Sequence, residues 1–266
     1  MARAVFSWLF IILVYFFFNN SLLSQLQQPV LIAPGSDNSF WLLHILNIPQ
    51  FLLHHYWAAL VFDIVLTCSC IICIIIPQQR LFCRITVIAV WILFIAYSSA
   101  AGKPYAQIGF LLAPIPFIVL SSQKFGMLWN LFRYWVCFLY FTAGIYKIYY
   151  GGFGYSHNMS NILLQDNAEW FVFNREGLSY NMIHYLVENH GLSQWFYRIA
   201  TFFDLALIIG FFTKRFDKWL LTGLLFFHIG NFFLLHISFV EQSLIFAAFL
   251  PWQKWAGPNQ TNKTDD

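Results

Sequence analysis

Residues 55–76 run HYWAALVFDIVLTCSCIICIII, twenty-two positions with one acid, Asp63, and no Lys or Arg. A chain needs roughly 20 mostly apolar residues to cross a bilayer as a helix. The run is continuous, with no alternation of period two, so it reads as a membrane helix and not as a strand of a transmembrane barrel. Moving outward from it, seven more such runs follow the same reading: 4–19, 81–101, 106–121, 128–149, 194–213, 218–236 and 238–252, the last of them short for a full crossing and expected to tilt or to end in the interface. The expected fold is all-α, a polytopic integral membrane bundle of about eight transmembrane helices with interfacial helices on the external side. It forms one domain over 1–257, with a polar tail at 258–266.

Composition agrees with this. The chain is 60% hydrophobic and 9% charged, whereas a soluble domain carries about 25% charge. So little charge cannot coat a water-facing surface. That excludes a soluble enzyme, a disordered chain and a nucleic-acid module, and a net charge of +3 attracts no polyanion.

Orientation follows from the basic residues. With the N-terminus inside, Arg3, Arg80, Arg84, Lys124, Arg133, Lys214, Arg215, Lys218, Lys254 and Lys263 fall on one side. Lys103, Arg175 and Arg198 fall on the other, and Lys147 stays within a span, which accounts for all 14. Ten against three places both termini in the cytoplasm. The first run lacks a small-x-small site before Leu22–Leu26, so it reads as a retained helix and not as a cleaved signal. The connection 20–54 holds no Lys or Arg and reads as external, with a short surface helix around Trp41. In 150–193, Ile162-Leu163-Leu164 and Tyr180 to Leu186 suggest two amphipathic helices, interfacial or re-entrant, on the external face. Cys68, Cys70 and Cys73 read as small core residues, with 70 and 73 on one helix face and 68 elsewhere. No metal is expected.

Ionisable groups inside spans are costly and mark function by default. Here they are Asp63, Lys147, Asp204, His228, His236 and Glu241. Each span's direction sets their depth, and they gather in the external half. His236 stands about 12 Å beyond His228 at 1.5 Å per residue. Tyr140, Ala143, Gly144 and Lys147 share one face of their helix, where the small residues admit a close neighbour. His228 and Asn231 share another. The candidate catalytic residues are Lys147 and His228. The candidate substrate-binding residues are Asn231, Gly144, Tyr140, Asp204 and His236. The bland alternatives are a snorkelling Lys147, Asp63 and Asp204 as buried partners of a Tyr, a Trp or a Lys, and an interfacial His236.

The run Phe141-Thr142-Ala143-Gly144-Ile145-Tyr146-Lys147-Ile148 followed by Gly154-Tyr155-Ser156 resembles a motif of the vitamin K-dependent γ-glutamyl carboxylase. Phe227-His228-Ile229-Gly230-Asn231-Phe232 resembles that family's F-H-x-x-N segment. The match covers about 100–252 and points to the HTTM group of membrane domains. The resemblance implies that Lys147 is the base that deprotonates a reduced quinone of the vitamin K or menaquinone type. Oxygen then gives the epoxide, coupled to proton abstraction from a second substrate and addition of CO₂. His228 and Asn231 would line the same pocket, which faces the periplasmic or lumenal side. Gly151-Gly152-Phe153 stands where the family has a tryptophan, and Pro104-Tyr105-Ala106-Gln107 where it has a histidine. No counterpart of the family's propeptide-gripping lumenal domain is expected in this sequence, which speaks against carboxylation of a protein glutamate.

Three readings stand at this point. An oxygenase needs an enclosed Lys147 amine, an apolar cavity and no carboxylate partner. A non-catalytic partner in export or maturation, docking a protein or peptide on its external face, fits a Lys147 that is exposed or ion-paired. A carrier needs a polar path to the cytoplasm, which the residue depths do not favour.

Overall fold

In the computed structural model, residues 1–26, 47–101, 111–119, 122–173, 177–236 and 240–252 are described. Among them there is helix and no strand. The expected surface helix at Trp41 and the tail 258–266 lie outside these residues. The chain divides into two compact units, Met1–Asn130 with Val240–Asp266, and Leu131–Phe239.

The first unit holds α1 (Ala2–Phe18), α2 (Ile48–His54), α3 (Tyr56–Ile75), α4 (Arg80–Ala101) and the start of α5 (Ser122–Tyr149). In α1, Val5, Phe6, Leu9, Ile12, Leu13 and Phe16 form one buried stripe at helical spacing. Its other face is apolar too, with Ile11, Phe17 and Phe18 exposed. A helix apolar all round with one face uncovered suits lipid, not water. α3 packs on α1 and α4 through Ala59, Asp63, Leu66, Ser69, Cys70 and Cys73. The cysteines divide by face as expected: Cys70 and Cys73 are buried, Cys68 is exposed, and all are free. Asp63 finds a backbone partner. Its Oδ2 accepts the Ser24 N–H at 2.8 Å, capping from another helix the 3₁₀ turn Leu23–Gln25. An acid costly within a span is thereby tied to a chain turn that would otherwise leave donors unmet.

The second unit holds the rest of α5, then α6 (Asn158–Asp166), α7 (Ala168–Phe173), α8 (Leu178–Glu188), α9 (His190–Ala206), α10 (Ile209–Phe212) and α11 (Asp217–Leu235). The two amphipathic helices expected in 150–193 are α6 and α8. They close a small core of Met159, Leu163, Ile183 and Leu186, flanked by Phe171, Tyr197 and Leu234. Asn167 Nδ2 fastens this cap to the end of α11 by donating to the Leu234 carbonyl at 2.9 Å.

Among the described residues, four segments are long and apolar enough to cross a membrane: Ala2–Gln25, Tyr56–Ile75, His190–Phe212 and Asp217–Leu235. They support membrane association. α4 and α5 have the length, at 22 and 28 residues. α5 carries Lys124, Arg133 and Lys147 along that length.

Two expected spans take another form. In the described part of 106–121, the helical turn at 111–112 breaks before Pro114, and a 3₁₀ turn Ile115–Ile118 follows. Pro114 and Pro116 lack the N–H groups that a continuing α-helix needs. The stretch 238–252 contains a 3₁₀ run, Glu241–Phe249. At about 2.0 Å per residue, its nine residues reach only ~18 Å, short of a bilayer core of ~30 Å. Leu244 to Phe249 are buried, and the Trp8 Nε1–H donates to Ser243 Oγ at 2.9 Å.

Candidate functional site

The site grows from one face of α5. Tyr140, Gly144 and Lys147 lie along it at i, i+4 and i+7. Gly144 sets the approach of α9. A Cβ there would stand 3.0 Å from Leu205 Cγ and Cδ2 and 3.1 Å from Asp204 Cβ. The missing side chain therefore lets α9 lie close enough for Asp204 to meet Lys147. Lys147 Nζ donates to Asp204 Oδ2 at 2.6 Å. The Asp204 side chain is 1% exposed and that of Lys147 25%.

The ammonium also sits 5.4 Å from the Phe227 ring centre and 5.7 Å from that of Tyr197. Both are within cation–π range. Two helical turns back along α5, the Tyr140 hydroxyl and His228 Nε2 share a hydrogen bond of 2.7 Å. The Phe227 ring stands edge-on to Tyr140, with centres 6.1 Å apart, and so borders both polar pairs. Asp204 Oδ1 is buried with no hydrogen-bond partner among the described residues.

Five of the seven candidate residues thus come together: Lys147 with Asp204 and Gly144, and Tyr140 with His228. Asn231 is half-buried, three residues past His228. His236 is exposed and ends α11 in a left-handed conformation, φ 52°, outside the cluster. The bland reading of Asp204 as a buried partner of a lysine matches its geometry. An amine bonded to a carboxylate is a hydrogen-bond donor and does not present a lone pair to a ligand.

Three participants were given no site role by the sequence reading, Phe227 appearing there only as the start of the F-H-x-x-N segment. Phe227 and Tyr197 gave no periodic signal among so many aromatics. Arg133 was counted only as a charge toward the cytoplasmic side, yet it is buried. It donates to Asp217 Oδ1 at 2.6 Å and to the Thr213 carbonyl at 2.8 Å, pinning α5 to the α10–α11 turn. The signal was Asp217, a lone acid in Lys214-Arg215-Phe216-Asp217-Lys218.

No family model matches the chain, and neither a curated protein nor a solved structure does.

Proposed function

We propose that the chain is an integral membrane protein that serves as a non-catalytic partner in the export or maturation of a secreted or membrane protein. The observation that carries this reading is the 2.6 Å bond between Lys147 and Asp204. It occupies the amine that base catalysis on a quinol requires. The pair then acts as a fastener between α5 and α9, holding the helices beneath the cap. The cap offers a surface for a partner, with Leu164, Val172, Phe173, Met182 and Tyr185 exposed on it. Cytoplasmic termini and a cap on the external face belong to this proposal, on the strength of the ten-against-three distribution of basic residues.

One observation favours a second reading, in which the pair handles a quinol of the vitamin K or menaquinone class. Asp204 Oδ1 is buried and has no hydrogen-bond partner among the described residues. A quinol hydroxyl could donate to it while Lys147 stays on Oδ2. The motif resemblance to the carboxylase family supports the same assignment.

Two assays separate the readings. Purified protein in detergent is given reduced menaquinone or vitamin K with oxygen, and epoxide is sought by mass spectrometry. In parallel, cells deleted for the chain receive a charge-free double variant, Lys147→Met with Asp204→Leu, and their secreted and membrane proteomes are compared. The partner reading expects no epoxide and full complementation. Epoxide made by the wild type and lost in Lys147→Ala, with failed complementation, overturns it in favour of the quinol.

A further inference from the structure

The cap carries a second polar cluster, away from Lys147. His157 precedes α6 as its N-cap and His190 opens α9. Both residues are exposed. Their rings lie with centres 4.1 Å apart at 63°.

Behind His190 is a chain of hydroxyls. Its Nδ1 is 2.9 Å from Ser160 Oγ, which is 2.8 Å from Ser193 Oγ, and Ser193 donates to the His190 carbonyl at 3.2 Å. The direction of this chain follows from counting protons. Ser193 spends its proton on the carbonyl, so Ser160 donates to Ser193, and Ser160 Oγ is left to accept from His190 Nδ1–H. That fixes the tautomer: Nε2 keeps its lone pair and is the nitrogen left for a ligand. A ring held through one nitrogen by a hydroxyl, with the other nitrogen open, is the usual second-sphere support of a metal-bound histidine. Ser160 is 2% exposed and Ser193 fully buried, so neither serves as a nucleophile, and a hydrolytic role for the Ser–His pair is set aside.

We propose that His157 and His190 form a two-imidazole site for a divalent first-row transition cation such as Zn²⁺, Ni²⁺ or Cu²⁺, clasping the start of α6 to the start of α9. Imidazole suits these ions. At a metal–nitrogen distance of about 2.0–2.1 Å, the metal lies roughly 3.2 Å from each ring centre, and a 90–110° bite puts the centres roughly 4.5–5.2 Å apart. The observed 4.1 Å needs the rings to part by roughly half to one ångström. Side-chain torsions of two exposed histidines allow that. Among the described residues no group of three His, Cys, Asp or Glu side chains converges, so water completes the coordination. The two ligands come from different helices. Occupancy therefore ties the cap helix α6 to α9 at a point that the small core around Leu163 does not cover.

The test uses the full chain in detergent, stripped with a chelator and titrated with ZnCl₂ by calorimetry. Cu²⁺ loading, followed by electron spin echo spectroscopy, counts the coordinated imidazole nitrogens. The wild type is expected to bind one equivalent, raise its melting temperature on loading, and show two imidazoles. His157→Ala should lose that equivalent, while His184→Ala, which alters a surface histidine beside Glu188, should keep it. Ser160→Ala should keep the two-imidazole signature and bind about 10- to 100-fold more weakly. This last result separates positioning of the ligand from mere folding. Equal binding by the wild type and His157→Ala, or no equivalent bound by the wild type, overturns the proposal.

Discussion

Replacing Lys147 with methionine would strand the Asp204 carboxylate. That side chain is 1% exposed, and its only partner among the described hydrogen bonds is the lysine. Removing one partner of a buried pair costs about 3–5 kcal/mol, because the remaining charge stays desolvated. The reverse change, Asp204→Leu, strands an ammonium whose side chain is 25% exposed. That group can turn toward water or headgroups, so the loss drops to about 1–3 kcal/mol. Removing both charges, Lys147→Met with Asp204→Leu, leaves no stranded group, and apolar replacement of such pairs is often neutral or stabilising by ~1–4 kcal/mol. The expected order of stability is therefore double variant and wild type together, then Asp204→Leu, then Lys147→Met. At about 2–4 °C per kcal/mol for a chain near this size, Lys147→Met should melt roughly 6–20 °C below the wild type. Circular dichroism at 222 nm in detergent follows the transitions, and a double-mutant cycle isolates the coupling. Two equally destabilising single variants, or a double variant as unstable as their sum, would refute the claim that the pair is enclosed asymmetrically and coupled.

Three further outcomes follow from the same packing, each read by thermal melts in detergent. Gly144→Val should destabilise by about 1–3 kcal/mol through collision with Leu205 and Asp204, whereas Gly126→Ala, with nothing within 4 Å of its Cβ, should stabilise by about 0.8–1 kcal/mol through helix propensity. Tyr140→Phe should cost about 1–3 kcal/mol, since it removes the hydroxyl bonded to His228 Nε2 in a buried place. Asp217→Leu should cost about 3–5 kcal/mol because Arg133 is 2% exposed, and Arg133→Met together with Asp217→Leu should recover most of that loss.

Much of the helix layout was legible in the chain. Apolar runs locate α1, α3, α4, α5, α9 and α11, because a span is long and its signal is summed over some twenty positions. The break at Pro114 was not read, although Pro114 and Pro116 were in plain view; the shortness of 238–252 was legible, but its 3₁₀ form was not. Hydropathy counts apolar residues without asking whether they can form one continuous helix. The amphipathic helices α6 and α8 were visible from their periodicity, but the core they share was not.

The candidate site divides in the same way. That Lys147, Asp204 and His228 are out of place among apolar residues is a property of composition and position, and the sequence alone determined it. Which of them touch was decided by the tertiary structure, through the absent side chain of Gly144 and the crossing of α9 over α5. Hydrogen bonds act over about 3 Å, and residues 57 positions apart in the chain come that close only when two helices are placed to fractions of a turn. Pattern along one strand of sequence has no access to that placement, and for this reason the bond that occupies the lysine emerged only in three dimensions.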